Sequence, residues 1–206
     1  TVASGLLDRR ADPAMATEKG AGARRGARVL TITPPLATTR LRLRKRVAGD
    51  AYALFATMSD PRAMHWWSRA PFDTVEDLAD YFGSDQRGPW RAWTITRAGD
   101  DRAIGFVAVG EKRQDGVTEI GYLLVRDAWR QGIAREAVSA VIGHLFASGQ
   151  RRLFADTDPD NAASNRLLES LGFQREGLLR AEWETHIGIR DSVIWGLLAD
   201  EWPPAA

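Results

Sequence analysis

The residue run with the clearest chemical potential is 129–137, Trp-Arg-Gln-Gly-Ile-Ala-Arg-Glu-Ala, which directly follows the apolar run 120–125. This pattern predicts a strand, a short turn that contains Gly132, and the beginning of a helix. The first N–H groups of a helix have no partner within the helix, and the helix dipole adds positive potential at the same end. We therefore expect a phosphate to bind at this turn.

The composition limits the chemistry that the chain can perform. The 206 residues include no cysteine, which excludes a covalent thiol mechanism, a zinc–thiolate site and a disulfide scaffold, and which is compatible with the cytoplasm. No apolar run approaches the roughly 18 to 20 residues that span a bilayer, and the beginning of the chain lacks the apolar core of a signal peptide. We expect a cytoplasmic protein without a membrane partner.

The charge is distributed unevenly along the chain. Residues 1–46 carry eleven Lys and Arg against three Asp and Glu, whereas the remainder carries seventeen against twenty-four. Residues 1–36 are rich in Ala, Gly, Arg and Pro, and they predict a flexible basic tail before a domain at 37–206. The tail is either an extension upstream of a true start at Met15 or an RNA-binding arm. We favour the extension, because no aromatic residues alternate with the arginines, and a nucleic-acid partner is not expected.

Hydrophobic periodicity predicts seven strands and four helices in the order β-α-α-β-β-β-α-β-α-β-β. The predicted strands are 39–44, 90–97, 103–109, 117–125, 152–157, 173–183 and 192–199, and the predicted helices are 50–58, 74–82, 133–147 and 162–171. This order indicates an α/β (α+β) fold in which helices cover both faces of a mixed sheet.

Four segments together resemble the GNAT acyl-CoA N-acyltransferases over residues 38–202. They are Glu119–Tyr122, Trp129–Ala134, Asp160–Asn165 with the following Leu171–Phe173, and Arg190–Ser192 through Trp202. The family usually has Gln or Arg where this chain has Trp129, but an aromatic residue is common there in the ribosomal-protein N-terminal acetyltransferase (RimJ/RimL-like) branch. The resemblance implies a mostly antiparallel central sheet of six to seven strands with four flanking helices.

The resemblance also implies acetyl-CoA as the cosubstrate, with no metal. Because Gly132 has no side chain, the backbone of its turn can approach a pyrophosphate closely. The expected phosphate-binding residues are Arg130, Gln131, Gly132, Ile133, Ala134 and Arg135. The pantetheine arm is expected along the backbone of Leu123, Leu124 and Val125, beside Asn161, with Ser164 near the sulfur. Alternatively, the arginines are solvated, 123–125 is simply a core strand, and Asn161 is only a helix N-cap.

The reaction requires a base, because an amine that is protonated at pH 7 must lose its proton before it attacks the thioester. Glu119, on the central strand, and Glu182, near the position of a proposed base in the branch, are equal candidates. Alternatively, neither is the base: Glu119 forms a buried structural ion pair, and Glu182 is simply an exposed residue of a strand. Ser164 could donate a proton to the departing thiolate.

The acceptor site is expected to involve the adjacent residues Trp66 and Trp67, which cannot both face one core. One of them could line an acceptor pocket, or both could form a homodimer contact. Tyr122 is a further candidate for the substrate site or for packing. The acceptor is expected to be a peptide N-terminus or, alternatively, a small amine such as an amino acid, polyamine or aminoglycoside. The alternative from another class of protein is a noncatalytic sensor that binds acyl-CoA.

Overall fold

The computed structural model describes residues 2–3, 33–84, 90–111 and 115–203. Most of the predicted flexible tail, 1–36, lies outside these ranges, so that prediction stays a prediction. The strands are β1 (Val2–Ala3), β2 (Leu36–Ala37), β3 (Leu41–Lys45), β4 (Trp90–Arg97), β5 (Gly105–Glu111), β6 (Val117–Leu124), β7 (Arg152–Thr157), β8 (Gln174–Thr185) and β9 (Gly188–Leu198). The helices are α1 (Ala51–Met58), α2 (Val75–Ser84), α3 (Ile133–Ala147) and α4 (Ala162–Ser170).

The strands form one mixed sheet in the order β2-β3-β4-β5-β6-β7-β9-β8, and β1 pairs with β6 outside this path. Every neighbouring pair is antiparallel except β6 and β7, which are parallel. The predicted fold class is therefore confirmed. The two short strands β1 and β2 were not predicted, because two residues are too few to show a periodicity.

Helices cover both faces of the sheet and create two apolar cores. Alternation along β6 separates them, because Tyr122 belongs to the core under α3 and α4, whereas its neighbour Leu123 belongs to the core under α1 and α2. The second helix begins where its sequence predicts, since the Asp77 N–H donates to the Thr74 hydroxyl at 3.1 Å. No helix in the described ranges is both long enough and apolar enough to cross a membrane.

The central parallel strands β6 and β7 pair over only three positions, from Val117 opposite Arg152 to Glu119 opposite Phe154. Beyond Glu119, β6 continues along β5, while β7 continues along β9. The two strands therefore diverge toward their carboxyl ends and leave a cleft between them. The short strand β1 lies in this cleft, where Val2 pairs with Leu123, and it also contacts β7 and α4.

Candidate active site

The turn between β6 and α3 has the backbone geometry of an anion cradle. Arg130 and Gly132 have left-handed φ angles of 60° and 74°, and they flank Gln131. The first bond of α3 runs from the Glu136 N–H to the Gly132 carbonyl at 3.0 Å. The N–H groups of 133–135 precede this bond and have no acceptor within the helix. Such a row of N–H groups at a helix start fits a pyrophosphate.

Two arginines that are distant in the sequence face this turn, Arg40 just before β3 and Arg97 at the end of β4, and no sequence pattern indicated either of them. Arg40 donates to the Gln131 carbonyl at 3.0 Å and to Glu136 at 2.7 Å. Arg97 donates to the Gln131 side-chain oxygen at 3.0 Å. A Cβ atom on Gly132 would lie 3.4 Å from the Arg40 guanidinium. These contacts join residues more than thirty positions apart, so no local pattern could have revealed them.

Trp129 fixes the end of β6 where the cleft opens. Its indole N–H donates to the Leu124 carbonyl at 2.8 Å, and the Val125 N–H donates to the Ile104 carbonyl at 2.9 Å. Backbone bonds of antiparallel strands alternate in direction. The backbone groups of Leu123 and Val125 therefore face β5, and those of Leu124 face the cleft. The pantetheine contacts stay a prediction, and an arm that pairs with this edge would have to displace β1.

The α4 wall of the cleft brings together three of the predicted residues. Asn161 and Ser164 are buried, and the Ser164 N–H donates to the Asn161 side-chain oxygen at 3.3 Å, so Asn161 is the N-cap of α4. The Tyr122 hydroxyl donates to the Ser164 carbonyl at 3.5 Å. Burial raises the pKa of Tyr122 well above its usual value, which keeps the phenol protonated at neutral pH.

A cavity on the opposite face of the sheet lies between residues 65–68, the end of β7 and the β8–β9 hairpin, and we call it the aromatic pocket. Its lining includes His65, Trp66, Trp67, Asp156, Trp183 and Arg190. Trp67 also belongs to the core under α1 and α2, whereas Trp66 is half-buried. Tyr122 packs in the other core, so the structure does not bring it together with the two tryptophans.

The two predicted glutamates occupy different environments. Glu119 is 1% exposed and, by strand alternation, shares the sheet face of Leu123, which is the face of the aromatic pocket. Glu182 is exposed on β8 beside a bulge at Ala181, whose φ angle is 51°. Its neighbour Trp183 lines the pocket, and Glu182 is not among the described residues that do.

Comparison with known proteins identifies the family. Residues 40–174 match the model of the acetyltransferase (GNAT) domain. The chain is 34% identical over 157 residues to the uncharacterized N-acetyltransferase YoaA of Bacillus subtilis, covering 71% of this chain and 86% of the relative. It is also 34% identical over 173 residues to the uncharacterized N-acetyltransferase p20 of Bacillus licheniformis, covering 81% and 97%. The chain therefore belongs to the GNAT family, whose members use acetyl-CoA, and it is an acyltransferase.

Relatives with a stated acceptor are more distant. The [ribosomal protein bS18]-alanine N-acetyltransferase of Escherichia coli is 27% identical over 134 residues, covering 59% of this chain and 90% of the relative. The structure of RimL, a ribosomal L7/L12 alpha-N-protein acetyltransferase in complex with coenzyme A, has a TM-score of 0.70 at 20% identity. This match covers 82% of this chain and 99% of RimL. It shows a common fold.

Proposed function

We propose that this protein transfers the acetyl group of acetyl-CoA directly to the N-terminal amine of a peptide or protein. The observation that carries the proposal is the cleft between β6 and β7. The anion cradle lies at the start of α3 on one face of the sheet, and the aromatic pocket lies on the other face beside the end of β7. A thioester held from the first face and an amine held from the second would meet between the diverging strands.

The residues along the cleft have different roles in direct transfer of the acetyl group. Glu119 takes a proton from the acceptor ammonium, and the freed lone pair of the nitrogen attacks the thioester carbonyl. The carbon–sulfur bond then breaks, and the Ser164 hydroxyl gives its proton to the departing thiolate while it receives the second proton that the attacking nitrogen loses. The N–H groups that precede the first bond of α3 hold the pyrophosphate, with added positive charge from Arg97.

Two observations favour a polypeptide acceptor over a small amine. The bS18-alanine N-acetyltransferase of Escherichia coli is a relative whose stated acceptor is a protein. In addition, β8 is an edge strand that adjoins the aromatic pocket, and it exposes Leu178 and Leu179 by 45% and 39%. An edge strand with apolar side chains can add an extended peptide by backbone pairing.

The proposed activity predicts release of coenzyme A thiol only when an amine is present. We expect turnover with peptides that carry a free N-terminus, and at least about tenfold lower kcat/KM with amino acids, polyamines and aminoglycosides. A colorimetric thiol assay measures the rate of coenzyme A release with each of these amines. An N-formylated peptide, whose N-terminus is blocked, is the control. Higher kcat/KM for a small amine would identify a small-molecule enzyme. Tight acetyl-CoA binding without any turnover would instead support the sensor alternative.

Substitution of the two glutamates tests which carboxylate is the base. We expect Glu119→Gln to lower kcat/KM at pH 7 by about 100-fold, which is typical of a lost general base. Glu182→Gln is the matched control, and we expect it to stay within about twofold because its side chain lies in solvent. The Kd for acetyl-CoA should remain unchanged in both variants. A larger loss of kcat/KM in Glu182→Gln than in Glu119→Gln would reverse the assignment. A loss of activity in Glu119→Gln that is accompanied by a large fall in melting temperature would indicate a structural ion pair.

A further inference from the structure

Trp67 carries a buried hydrogen-bond donor that its own surroundings do not use. The side chain is completely buried, and its indole N–H has no hydrogen-bond partner in the part of the chain that the structure describes. The hydroxyl of the adjacent Ser68 is also enclosed, and it too is unpaired within the described residues. Buried polar atoms are nearly always hydrogen-bonded, because a donor that has lost water without gaining an acceptor is destabilising. Two such donors on neighbouring residues therefore point to a ligand.

Four other tryptophans show how this fold ordinarily satisfies an indole. The N–H groups of Trp93, Trp129, Trp183 and Trp195 each donate to an oxygen atom of the chain, at 2.8 to 3.1 Å. Trp183 lines the same aromatic pocket as Trp67, yet its N–H is already engaged. Among these five indoles of the described ranges, Trp67 alone keeps its N–H for another partner.

Both donors belong to residues of the pocket wall, beside the cleft. Trp67 and Ser68 line the aromatic pocket. The Trp67 ring packs edge-on against Phe106, with 5.9 Å between the ring centres. Phe106 is opposite Leu123, a residue of β6 beyond its last pairing with β7. The backbone N–H of Trp67 donates to the Met64 carbonyl at 2.9 Å, which fixes this segment of the wall near the place where the strands diverge.

We propose that the Trp67 indole N–H and the Ser68 hydroxyl bind the carbonyl oxygen of the acceptor's first residue, and this inference rests on the proposed function. A carbonyl oxygen has two lone pairs, so it can accept from both donors at once. In a peptide, the first carbonyl carbon and the N-terminal nitrogen are bonded to the same carbon atom. Holding the carbonyl therefore places the nitrogen for attack on the thioester.

This role makes the donor pair a determinant of acceptor specificity. A peptide N-terminus supplies a carbonyl next to its amine, whereas a polyamine does not. A polyamine in the same pocket would leave both buried donors unsatisfied, and sites that are built to hydrogen-bond a substrate reject analogues that lack the bonding atom. Of the two adjacent tryptophans, Trp67 is thus the one that recognises the acceptor through a polar atom.

A peptide and its analogue with an E-alkene in place of the first amide bond test this role. The analogue keeps the shape and the N-terminal amine of the peptide but lacks the carbonyl oxygen. The wild type should prefer the peptide by about 100-fold in kcat/KM, and Ser68→Ala and Trp67→Phe should each prefer it by about tenfold. Thr185→Val is the matched control and should keep the wild-type preference, since Thr185 also lines the pocket but its hydroxyl donates to the Gly188 carbonyl at 2.9 Å.

Thermal unfolding separates this role from a structural one. Because the Ser68 hydroxyl has no partner among the described residues, Ser68→Ala should leave the melting temperature of the free protein unchanged or raise it. A hydroxyl that stabilised the fold would instead lower the melting temperature when it is removed. The KM for acetyl-CoA should stay unchanged in Ser68→Ala and in Trp67→Phe. If the smaller ring of Trp67→Phe prevents folding, Ser68→Ala alone decides.

The outcomes distinguish this inference from the proposed function. A wild type that uses the peptide and its alkene analogue equally well overturns the inference, as does an unchanged preference in Ser68→Ala. Both results leave the proposed function intact, because the peptide is still acetylated. Absence of thiol release by the wild type with every peptide overturns the proposed function itself.

Discussion

Replacement of Gly132 by valine should raise the Kd for acetyl-CoA by about 100-fold. Gly132 has a φ angle of 74°, a region that a β-branched residue rarely adopts. A side chain there also projects beside the N–H groups that are proposed to hold the pyrophosphate. Loss of two hydrogen bonds to a charged group costs about 3 kcal/mol, which corresponds to this change in Kd. Calorimetric titration with acetyl-CoA measures the effect.

Gly149 provides a matched control for this substitution at the other end of α3. Its φ angle is 92°, and no atom lies within 4 Å of the position where a Cβ would stand. Gly149→Val therefore introduces comparable backbone strain, about 1 to 2 kcal/mol, far from the turn. Both variants should lose similar free energy of unfolding in urea, but only Gly132→Val should lose affinity. Equal affinity in the two variants would show that the turn does not hold the cosubstrate.

The turn and most elements could be predicted because their signals are local. The predicted strands 90–97 and 152–157 coincide with β4 and β7, and each is followed by a turn, which contains Gly99 after β4 and begins beside Asp158 after β7. The helix after Gly132 begins at Ile133, because Gly132 has a left-handed, nonhelical backbone and the good helix formers at 134–137 follow it. Each of these boundaries depends on residues only a few positions apart in the chain.

The acceptor side of the site could not be predicted, because it depends on distant contacts. Asp156 becomes a pocket residue only when Trp183 and Ser192, 27 and 36 positions later, donate to it. Likewise, Glu182 follows a bulge at Ala181, and a bulge changes the face of the sheet on which the following side chains lie. A sequence pattern with period two cannot anticipate that shift, so the sequence alone does not choose between Glu119 and Glu182 as the base.

The largest loss of stability is expected at Asp50, a buried carboxylate that joins β3, β4 and the start of α1. It is 5% exposed and accepts hydrogen bonds from Arg44 at 2.8 and 3.0 Å, from the Thr94 hydroxyl at 2.6 Å and from the Val47 N–H at 3.0 Å. Asp50→Asn removes the buried partner of the Arg44 guanidinium, which is itself 20% exposed, and leaves only the exposed Asp101 to balance its charge. We expect the free energy of unfolding at pH 7 to fall by about 3 kcal/mol, measured in urea.

The pH dependence of this loss distinguishes a charge effect from a packing effect. Burial raises the pKa of Asp50, but the hydrogen bonds from Arg44, Thr94 and the Val47 N–H outweigh it, so the pKa lies below its ordinary value. A pKa that is lower in the folded than in the unfolded state stabilises the fold above about pH 4, the unfolded value. This stabilisation is lost as the pH falls through the folded pKa. The difference between wild type and Asp50→Asn should therefore be constant from pH 7 to pH 5 and shrink below pH 4.

Asp101 offers a control on the same arginine, because it binds the Arg44 Nε at 2.7 Å but is 72% exposed. A solvent-exposed ion pair contributes little, so Asp101→Asn should cost at most about 0.5 kcal/mol at pH 7. If the two variants lost equal free energy of unfolding, burial of the Asp50 carboxylate would not be the source of its effect. A loss in Asp50→Asn that persisted unchanged at pH 3 would assign the effect to packing, since the charge of Asp50 is then largely neutralised in the unfolded chain.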